Sequence, residues 1–427
     1  NEPAGDRYPM MIRTTIFLLF SLCLMPAFGQ AQDAVVSLDE AVTRTLAENP
    51  ALQAQGYQMQ IQEARTLQAG ITPQPQLSVE AENFLGSGSN DMFSGMQTTF
   101  SISWILDRGI RQSRVDAASA RMPLIESEIN IARLDAVAET ARRYLDCLDL
   151  QTRMMTARQG IQLAQEAVSE IETRVNNAIT PTADLARANA ELARRELILE
   201  DIEHELLSAY YRLGAQWGET QPSFSRVAGD IFDQPEVAGL QTFQTRLEQN
   251  PDLQVYLSQQ RLNQAQLELE QARNRQNWQV SAGIRHQELT GDNAFVAGFS
   301  MPLGRDAVNR GNVEAARNTI RMTELEAQAE RVRLETELFV IYQELQHSVH
   351  LSETISSEIL PLYRQALEET QAAYELGRYS YLEWNAAQTE LLAAQNDLIE
   401  ASRGFYTNLI EIERLTGLSI AAEQFTP

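Results

Sequence analysis

The sequence predicts a mainly helical protein with a transmembrane β-barrel part at one end. Three observations support this fold class. The chain contains two copies of one unit of roughly two hundred residues. Each copy carries a pair of short alternating strands, and each carries a helix far longer than a compact domain requires. Long helices alone would indicate a coiled coil, but the paired strands add a sheet-forming part.

Length and charge narrow the functional class. The chain has 427 residues and a formal net charge of −24. Nucleic-acid binding depends on clustered basic side chains that displace counterions from phosphates, and no basic stripe occurs in this sequence. We therefore expect no nucleic-acid partner.

Residues 1–31 are interpreted as an N-terminal extension followed by a signal peptide. Arg13 precedes an apolar run over 16–25, and small residues suited to cleavage follow. The run is too short to span a bilayer as a lone helix. Cys23 is a weak lipidation candidate because the bulky Leu22 precedes it. No later apolar run spans a membrane as a helix, so any crossing by this exported chain is expected to use β-strands.

An internal repeat organises the mature chain. The matching pairs are residues 49–53 with 250–254, 115–118 with 313–316, and Tyr144 with Tyr342. We therefore divide the chain into a first repeat (32–218), an equatorial linker (219–239), a second repeat (240–420) and a C-terminal tail (421–427).

The elements of each repeat follow in the same order. Ser37 and Glu40 predict a capping box for a short helix that stops at Asn49, and Pro50 opens a second helix that runs to about Gly70. Asn250 and Pro251 repeat that restart. Alternating residues then predict a β-hairpin at about 76–105 and its counterpart at about 277–303, with strands long enough to cross a bilayer when tilted.

The long helices follow the hairpins. Apolar residues spaced alternately by three and four positions begin at Val115. Almost no helix-breaking residue occurs before a turn at about 177–182, which predicts one helix of roughly 90 to 100 Å. A shorter helix then returns. The second repeat predicts a long helix from Val313, a turn at about 377–381 and a return helix. Pro361 is a candidate kink in the second long helix.

The strand count bears on assembly. Four strands cannot close into a barrel, and an open sheet edge in hydrocarbon would leave backbone N–H and C=O groups without partners. Three copies would supply twelve strands, and the same symmetry would close the helices into a hollow cylinder. We therefore expect a homotrimer.

The motifs resemble those of the TolC-like outer-membrane efflux proteins. The resemblance rests on the duplicated Asn-Pro-x-Leu, the segment ENFLGSGSN from Glu82 and the run SWILDRGIRQSRVDAA from Ser103. Glu82-Asn83-Phe84 with Arg111 and Arg114 is similar to the CzcC-type heavy-metal efflux branch. The resemblance implies a trimeric twelve-stranded barrel, continuous with a periplasmic α-helical barrel, in the outer membrane and in contact with its lipid. It also implies a passive duct that docks a periplasmic adaptor and an inner-membrane RND-type pump, and no enzymatic activity.

The resemblance also implies a periplasmic gate near the helix turns. The positions that match the family's acidic residues are Asp184 and Glu383, while Ala386 stands where some members carry a second acid. The hypothesis is that Glu383 forms a cation-attracting ring and that Arg378 or Arg187 latches the closed state through Asp184. The alternative is that both acids are ordinary first-turn residues favoured by the helix dipole.

The helix turns are the expected adaptor-contacting tips. The residues assigned to them are Asn177, Thr180, Pro181, Thr182, Gly377, Tyr379, Ser380 and Tyr381. Trp384 lies beside them and is interpreted either as an exposed adaptor contact or as part of the packing of the tip.

Residues that could carry chemistry have ordinary alternatives. His347 and His350 lie one turn apart with acidic neighbours, and Asp201 precedes His204, a spacing found in di-iron bundles. Their charged surroundings favour a solvated helix surface. Cys147 is expected to pack as a small hydrophobe. We predict no cofactor, no metal site and no catalytic residue.

Three other functions remain open from sequence. A drug-efflux or type I secretion duct would share the fold, because selectivity in this design belongs mostly to the pump. A periplasmic coiled-coil scaffold would explain the long helices without transport, although the paired strands speak against it. A di-iron enzyme is the weakest of the three.

Overall fold

The structure of the protein is a computed structural model, which describes residues 34–90, 92–107, 109–275, 277–302 and 309–417. The expected signal peptide with Cys23 and the expected C-terminal tail lie outside the described residues. The fold is mainly helical with a small antiparallel sheet, so the predicted fold class is confirmed.

The elements occur in the same order in both halves of the chain. The first half contains β1 (Val35–Val36), α1 (Leu38–Glu48), α2 (Pro50–Ala69), β2 (Gln76–Glu82), β3 (Gln97–Leu106), α3 (Ile110–Ser119), α4 (Met122–Asn176) and α5 (Thr182–Gly214). The short strand β4 (Arg226–Val227) follows. The second half contains α6 (Leu240–Leu247), α7 (Pro251–Ala272), β5 (Trp278–Gln287), β6 (Asp292–Ser300), α8 (Arg310–Thr354), α9 (Leu360–Glu375) and α10 (Tyr381–Thr416).

The helix restarts at the two Asn-Pro pairs have one physical basis. Asn49 accepts hydrogen bonds from the N–H groups of Ala51 and Leu52, and its Nδ2 donates to the Gln216 carbonyl at 2.8 Å. Asn250 caps α7 in the same way and donates to the Leu415 carbonyl. Each asparagine therefore caps one helix and ties it to the end of a returning helix.

The predicted capping box at α1 forms only in part. The Ser37 side chain accepts a hydrogen bond from the Glu40 N–H at 3.2 Å. The Glu40 carboxylate does not return to Ser37 but pairs with Arg44, one turn further along the helix. Half of the motif is enough to cap the helix, and Arg44 competes for the carboxylate.

The first long helix is divided, contrary to the single helix predicted from Val115. α3 ends at Ser119, and α4 begins at Met122 with Pro123 in its first turn. A proline has no N–H to donate and clashes with the preceding turn, so α3 cannot continue through it. At 55 residues, α4 is still about 80 Å long.

The second long helix is interrupted beside Pro361, the residue predicted as a candidate kink. A π-helical turn over Ile355–Ile359 separates α8 from α9, and Pro361 lies in the first turn of α9. The missing proline N–H removes one helical hydrogen bond, and the wider turn absorbs the extra residue.

The four long strands form one antiparallel sheet in the order β2-β3-β5-β6. Side chains alternate between its faces. The apolar face exposes Leu77, Val79, Phe100, Ile102, Ile284, Phe295 and Phe299. The opposite face carries Ser78, Ser101, Ser103, Ser281 and Gly283 at the intervening positions. This alternation is the pattern of a barrel wall with lipid on one side and water on the other.

Gly283 allows β3 and β5 to approach closely. A Cβ at this position would contact the Phe100 carbonyl oxygen and would lie 2.7 Å from the Ser101 Cβ. Any side chain here would push the strands apart, so glycine is required for this part of the pairing.

The largest core lies at mid-height, where both halves of the chain meet. Tyr144 is fully buried, and its hydroxyl donates to the carbonyls of Ala228 at 2.6 Å and Val36 at 3.2 Å. It thereby joins α4 to the parallel pair β1 and β4. Burial raises the pKa of Tyr144 well above its ordinary value, so the hydroxyl stays protonated as a donor.

Among the described residues, no helix combines the length and the apolar composition needed to cross a bilayer.

Candidate functional site at the helical tips

Two helix-to-helix turns of the same design form the tips. In the first, Ala178 adopts φ +57°, and the N–H of Ile179 donates to the Arg174 carbonyl at 2.9 Å. In the second, Gly377 adopts φ +67°, and the N–H of Arg378 donates to the Ala373 carbonyl at 2.9 Å. Both turns therefore end a long helix with a left-handed residue that satisfies its last carbonyls.

Asp184 and Arg187 form an ion pair on the first turn of α5. The Arg187 Nη1 lies 3.2 Å from the Asp184 Oδ1, and the arginine is largely exposed. The structure therefore brings together two of the predicted gate residues on one helix. An exposed pair of this spacing contributes little stability by itself.

Glu383 begins α10 as a capping residue. Its carboxylate accepts hydrogen bonds from the Ser380 N–H at 2.6 Å and from the Ser380 hydroxyl at 2.9 Å. The hydrogen bond from the Ser380 backbone, and to a smaller extent the one from its side chain, lowers the pKa of the Glu383 carboxyl below its ordinary 4.5. This geometry matches the alternative of a first-turn acid, and an ionised carboxylate exposed at the tip is also what a cation ring requires. The ring remains a hypothesis.

Arg378 forms no ion pair with Asp184 or with Glu383. It is exposed, and within the described chain the Asp184 carboxylate is held by Arg187 while Glu383 is held by Ser380. In one protomer, Arg187 rather than Arg378 is the arginine next to Asp184.

Most of the predicted adaptor-contacting residues are accessible. The exposed ones are Asn177, Pro181, Thr182, Gly377, Tyr379 and Ser380, and Thr180 is partly exposed. Tyr381 is buried, so its side chain is not presented to a partner in this conformation. Trp384 is buried as well, which favours packing of the tip over a direct adaptor contact.

An aromatic and cationic stack, which was not predicted from the sequence, joins the two halves of the chain at the tip. The Arg174 guanidinium lies 4.8 Å from the Tyr374 ring centroid, donates to the Glu375 carbonyl and pairs with Glu170 at 2.8 Å. Tyr374 in turn stacks on Trp384 with a centroid distance of 5.0 Å. The stack therefore links α4 of the first half to α9 and α10 of the second. A basic residue in the last turn of α4 was the available signal, but its partner is two hundred residues away in sequence.

The polar face of the sheet also carries charge near the loops. Arg285 lies 3.4 Å from Glu82, and it donates to the Thr99 hydroxyl at 3.0 Å and to the Gln97 side chain at 3.3 Å. The arginine therefore links three strands on the face that would line a pore.

Residues considered for chemistry are placed as ordinary side chains. In the part of the chain that the structure describes, no three His, Cys, Asp or Glu residues converge as metal ligands. His204 is exposed and lies 3.8 Å from Glu200. Cys147 is buried, and burial, aided by the charge of Asp146, raises the pKa of its thiol, which disfavours the reactive thiolate.

Comparison with known families gives a match over most of the chain. The profile described as outer membrane efflux protein matches residues 41–219 and again residues 242–418. The two ranges coincide closely with the two halves of the fold.

Similar proteins include metal-resistance proteins. The cobalt-zinc-cadmium resistance protein CzcC of Cupriavidus metallidurans is 24% identical over 394 residues, which cover 92% of this chain and 93% of the relative. The nickel-cobalt-cadmium resistance protein NccC of Alcaligenes xylosoxydans is 23% identical, with 78% and 75% covered.

Solved structures share the fold. The outer membrane protein VceC of Vibrio cholerae superposes with a TM-score of 0.70 at 19% identity, covering 89% of this chain and 96% of that one. CusC, described as forming a transmembrane channel, gives a TM-score of 0.71 at 17% identity, with 92% and 96% covered.

Proposed function

This chain belongs to the outer membrane efflux protein family, and from that premise we propose that three copies form the exit duct of a tripartite system that expels heavy-metal cations. Its location is the outer membrane, with a periplasmic helical extension. The family consists of efflux proteins rather than enzymes, and passive conduction requires no catalytic group.

The four-stranded sheet is the observation that carries the duct. Its apolar face would meet lipid, and its serine-rich face would meet water. Within the described residues, β2 and β6 each have one unpaired edge. Because hydrocarbon tolerates no open edge, neighbouring copies must complete the wall. A closed wall of twelve strands surrounds a pore.

The names of the relatives support metal cations as the exported class. CzcC and NccC are resistance proteins for cobalt, zinc, nickel and cadmium. The net charge of −24 agrees with a duct that attracts cations rather than anions. The described residues show no metal-ligand cluster, and a duct needs none, because a tightly bound cation would not pass through.

We also propose the partners that a duct of this family requires. A periplasmic adaptor would contact the exposed residues at the tips, including Tyr379 and Thr182. An inner-membrane RND-type pump would supply the energy. Tyr381 would support the tip from inside, because its side chain is buried.

The tips are proposed as the gate. Asp184, paired with Arg187, and Glu383, bonded to Ser380, put a carboxylate at the start of each return helix. The stack of Arg174 on Tyr374 would hold the two helix-to-helix turns together in the closed state. Arg378 is exposed and forms no ion pair with the described residues, so it would pair with a carboxylate of a neighbouring copy.

The function is tested by deleting the gene in its native host and restoring it. We expect the deletion to raise the cellular content of cobalt, zinc, cadmium or nickel, measured by elemental mass spectrometry, and to lower tolerance to them. The wild-type gene should restore both, and so should the control variant Gly56→Ala, because an added Cβ there meets open space.

Other results would redirect the proposal. Unchanged metal tolerance with increased sensitivity to drugs would favour a drug-efflux duct, and loss of a secreted protein would favour type I secretion. A protein recovered as a soluble monomer from the periplasm would favour the coiled-coil scaffold and contradict the duct.

A further inference from the structure

A cavity between α4, α5 and α10 is lined by more basic than acidic side chains, although the whole chain is strongly acidic. This cavity, called the α4–α5–α10 cavity below, has a volume of about 260 Å³. The charged residues that line it are Arg153, Arg194, Arg195 and Glu191, whereas the chain contains 58 acidic and 34 basic residues. A surplus of positive charge in a cavity favours an anion.

Glu191 is shared by two of these arginines. Its Oε1 lies 3.0 Å from the Arg195 Nε, and its Oε2 lies 3.0 Å from the Arg194 Nε. Arg153 has partners of its own, one carboxylate on α4 and one on α10. Two guanidinium groups are therefore balanced by one carboxylate, which leaves one positive charge beside the cavity.

Arg195 is only 5% exposed and uses part of its hydrogen-bonding capacity. Its Nε donates to the Glu191 Oε1 at 3.0 Å, and its Nη1 donates to the Gly160 carbonyl at 3.1 Å. A guanidinium has five N–H groups, and the remaining three have no acceptor among the residues that the structure describes. The Nη2 atom is not fully enclosed, so its N–H groups are open to the cavity that Arg195 lines. A buried charge with unused donors is stabilised by an anionic acceptor.

Gly160 allows the guanidinium to lie at the wall of the cavity. A Cβ at this position would lie 3.3 Å from the Arg195 Nη1 and 3.2 Å from the Leu392 Cδ1. Both distances are shorter than the optimum for contacts between non-bonded atoms. A side chain at this position would therefore displace the guanidinium or narrow the cavity.

The second half of the chain shows that a return helix can pack without such an arginine. The helices α5 and α10 are equivalent, and counting from their first residues aligns Arg194 with Ala393 and Arg195 with Ala394. Ala394 is 4% exposed. A small apolar residue thus fills the equivalent buried position, so helix packing alone does not account for the charge of Arg195.

The rest of the cavity has a largely apolar wall. Ile198 and Ile202 on α5 and Leu392 on α10 belong to it. The volume lies just below the roughly 300 Å³ at which pockets for drug-sized ligands begin. These properties fit a small ligand with one anionic group and a short apolar chain.

We propose that the α4–α5–α10 cavity binds a short-chain aliphatic carboxylate, whose carboxylate group accepts hydrogen bonds from Arg195 and whose chain lies against the apolar wall. The planar guanidinium matches the two oxygens of a carboxylate. Inorganic phosphate fits less well, because the apolar wall offers its other oxygens no donors. All residues of the site belong to one chain, so the site does not depend on the proposed duct.

The test is titration calorimetry of the full-length protein in detergent with hexanoate. We expect saturable binding to the wild type and roughly 10- to 100-fold weaker binding to Arg195→Met, because hydrogen bonds to a charged group are lost. Arg158→Met is the matched control and should bind hexanoate like the wild type, since Arg158 is an exposed residue of α4 outside the cavity lining. Hexanol, which lacks the charge, and inorganic phosphate, which lacks the chain, should each bind about tenfold more weakly or less.

A second variant tests the site while keeping the arginine. Ala393→Phe places a large side chain at the rim of the cavity, where Ala393 is exposed. We expect this variant to exclude hexanoate, because the ring would occupy the space of the chain. Absence of saturable binding to the wild type, undiminished binding to Ala393→Phe, or phosphate binding as tight as hexanoate binding would overturn the proposal. Equal loss in Arg158→Met and Arg195→Met would place the binding elsewhere and overturn it as well.

Discussion

Single residues at the tips combine local and distant roles. Glu383 caps its own helix, whereas Arg174 contacts residues from the other half of the chain. Local hydrogen bonds can be predicted from residues that are neighbours in the sequence, but the partners of Arg174 cannot. Two variants separate these roles.

Glu383→Gln removes the charge and keeps the size of the side chain. If Glu383 forms a cation-attracting ring, we expect weaker block of single-channel current by trivalent cations in planar bilayers, by about tenfold in blocking concentration. Since hydrogen bonds lower its pKa below 4.5, the charge persists at neutral pH. The wild-type block should be lost only as the pH falls below that value. Glu390→Gln, at an exposed position further along α10, is the control, and equal currents in all three proteins would remove Glu383 from the gate.

Arg174→Ala should loosen the closed state. Loss of the contact with Tyr374 costs about 1 to 2 kcal/mol for a partly desolvated cation on an aromatic ring, which corresponds to roughly a 5- to 30-fold rise in the open population. Spontaneous conductance in planar bilayers measures this rise. Arg158→Ala is the control, because Arg158 is exposed and makes only a 3.6 Å pair with Glu203. A rise of equal size in both variants would show that the effect is not specific to the stack.

The elements show which patterns determine structure on their own. The Asn-Pro restarts, the hairpins and the turns were predicted from short motifs. The break between α3 and α4 was missed, although Pro123 was visible, because the apolar seam continues across it. The spacing of apolar residues thus indicates which helix face is buried more reliably than it indicates whether the helix is continuous.

Asn250→Ala should destabilise the mid-height joint more than Asn49→Ala. Loss of either cap costs about 1 kcal/mol, and each asparagine also donates to a backbone carbonyl at the end of a returning helix. Asn250 is fully buried, so its loss leaves the Leu415 carbonyl without a partner and away from water. Asn49 is only partly buried. Thermal unfolding followed by circular dichroism should show the larger decrease in Tm for Asn250→Ala. A larger decrease for Asn49→Ala would contradict this account of the joint.

Gly283→Ala should impair the sheet while leaving the helices folded. The added Cβ would contact the β3 backbone at Phe100 and Ser101, and overpacking typically costs about 1 to 3 kcal/mol. The yield of heat-sensitive trimer from outer membranes measures the effect. Gly56→Ala should be neutral or stabilising, since alanine is the better helix former in open space. Normal yield from Gly283→Ala would show that the strands can separate at no cost.

At the scale of the whole molecule, one chain is an incomplete wall. Within the residues that the structure describes, its sheet has two unpaired edges, and α2 and α8 each present apolar side chains to solvent. Burial of such faces is the dominant favourable term in association. The protomer therefore has the properties of one segment of a ring.

The assembled protein should migrate as a trimer in denaturing detergent without heating and as a monomer after heating. The unheated form depends on strand pairing between copies, which detergent alone does not break. Electrophoresis of extracted outer membranes with and without heating tests this, and a folded monomer in lipid vesicles would contradict it.

The sequence by itself determined the repeat, because similar short motifs occur twice in the chain. It also determined the order of elements, the alternating strands and most of the helix caps, because each of these depends on residues within a few positions of one another. Only the tertiary structure decided that Tyr381 and Trp384 are buried, that Arg174 contacts Tyr374, and which faces of α2 and α8 remain uncovered. These features depend on contacts between residues far apart in the chain. Apolar spacing shows that a face will be buried, but the partner is chosen by how the two halves pack together.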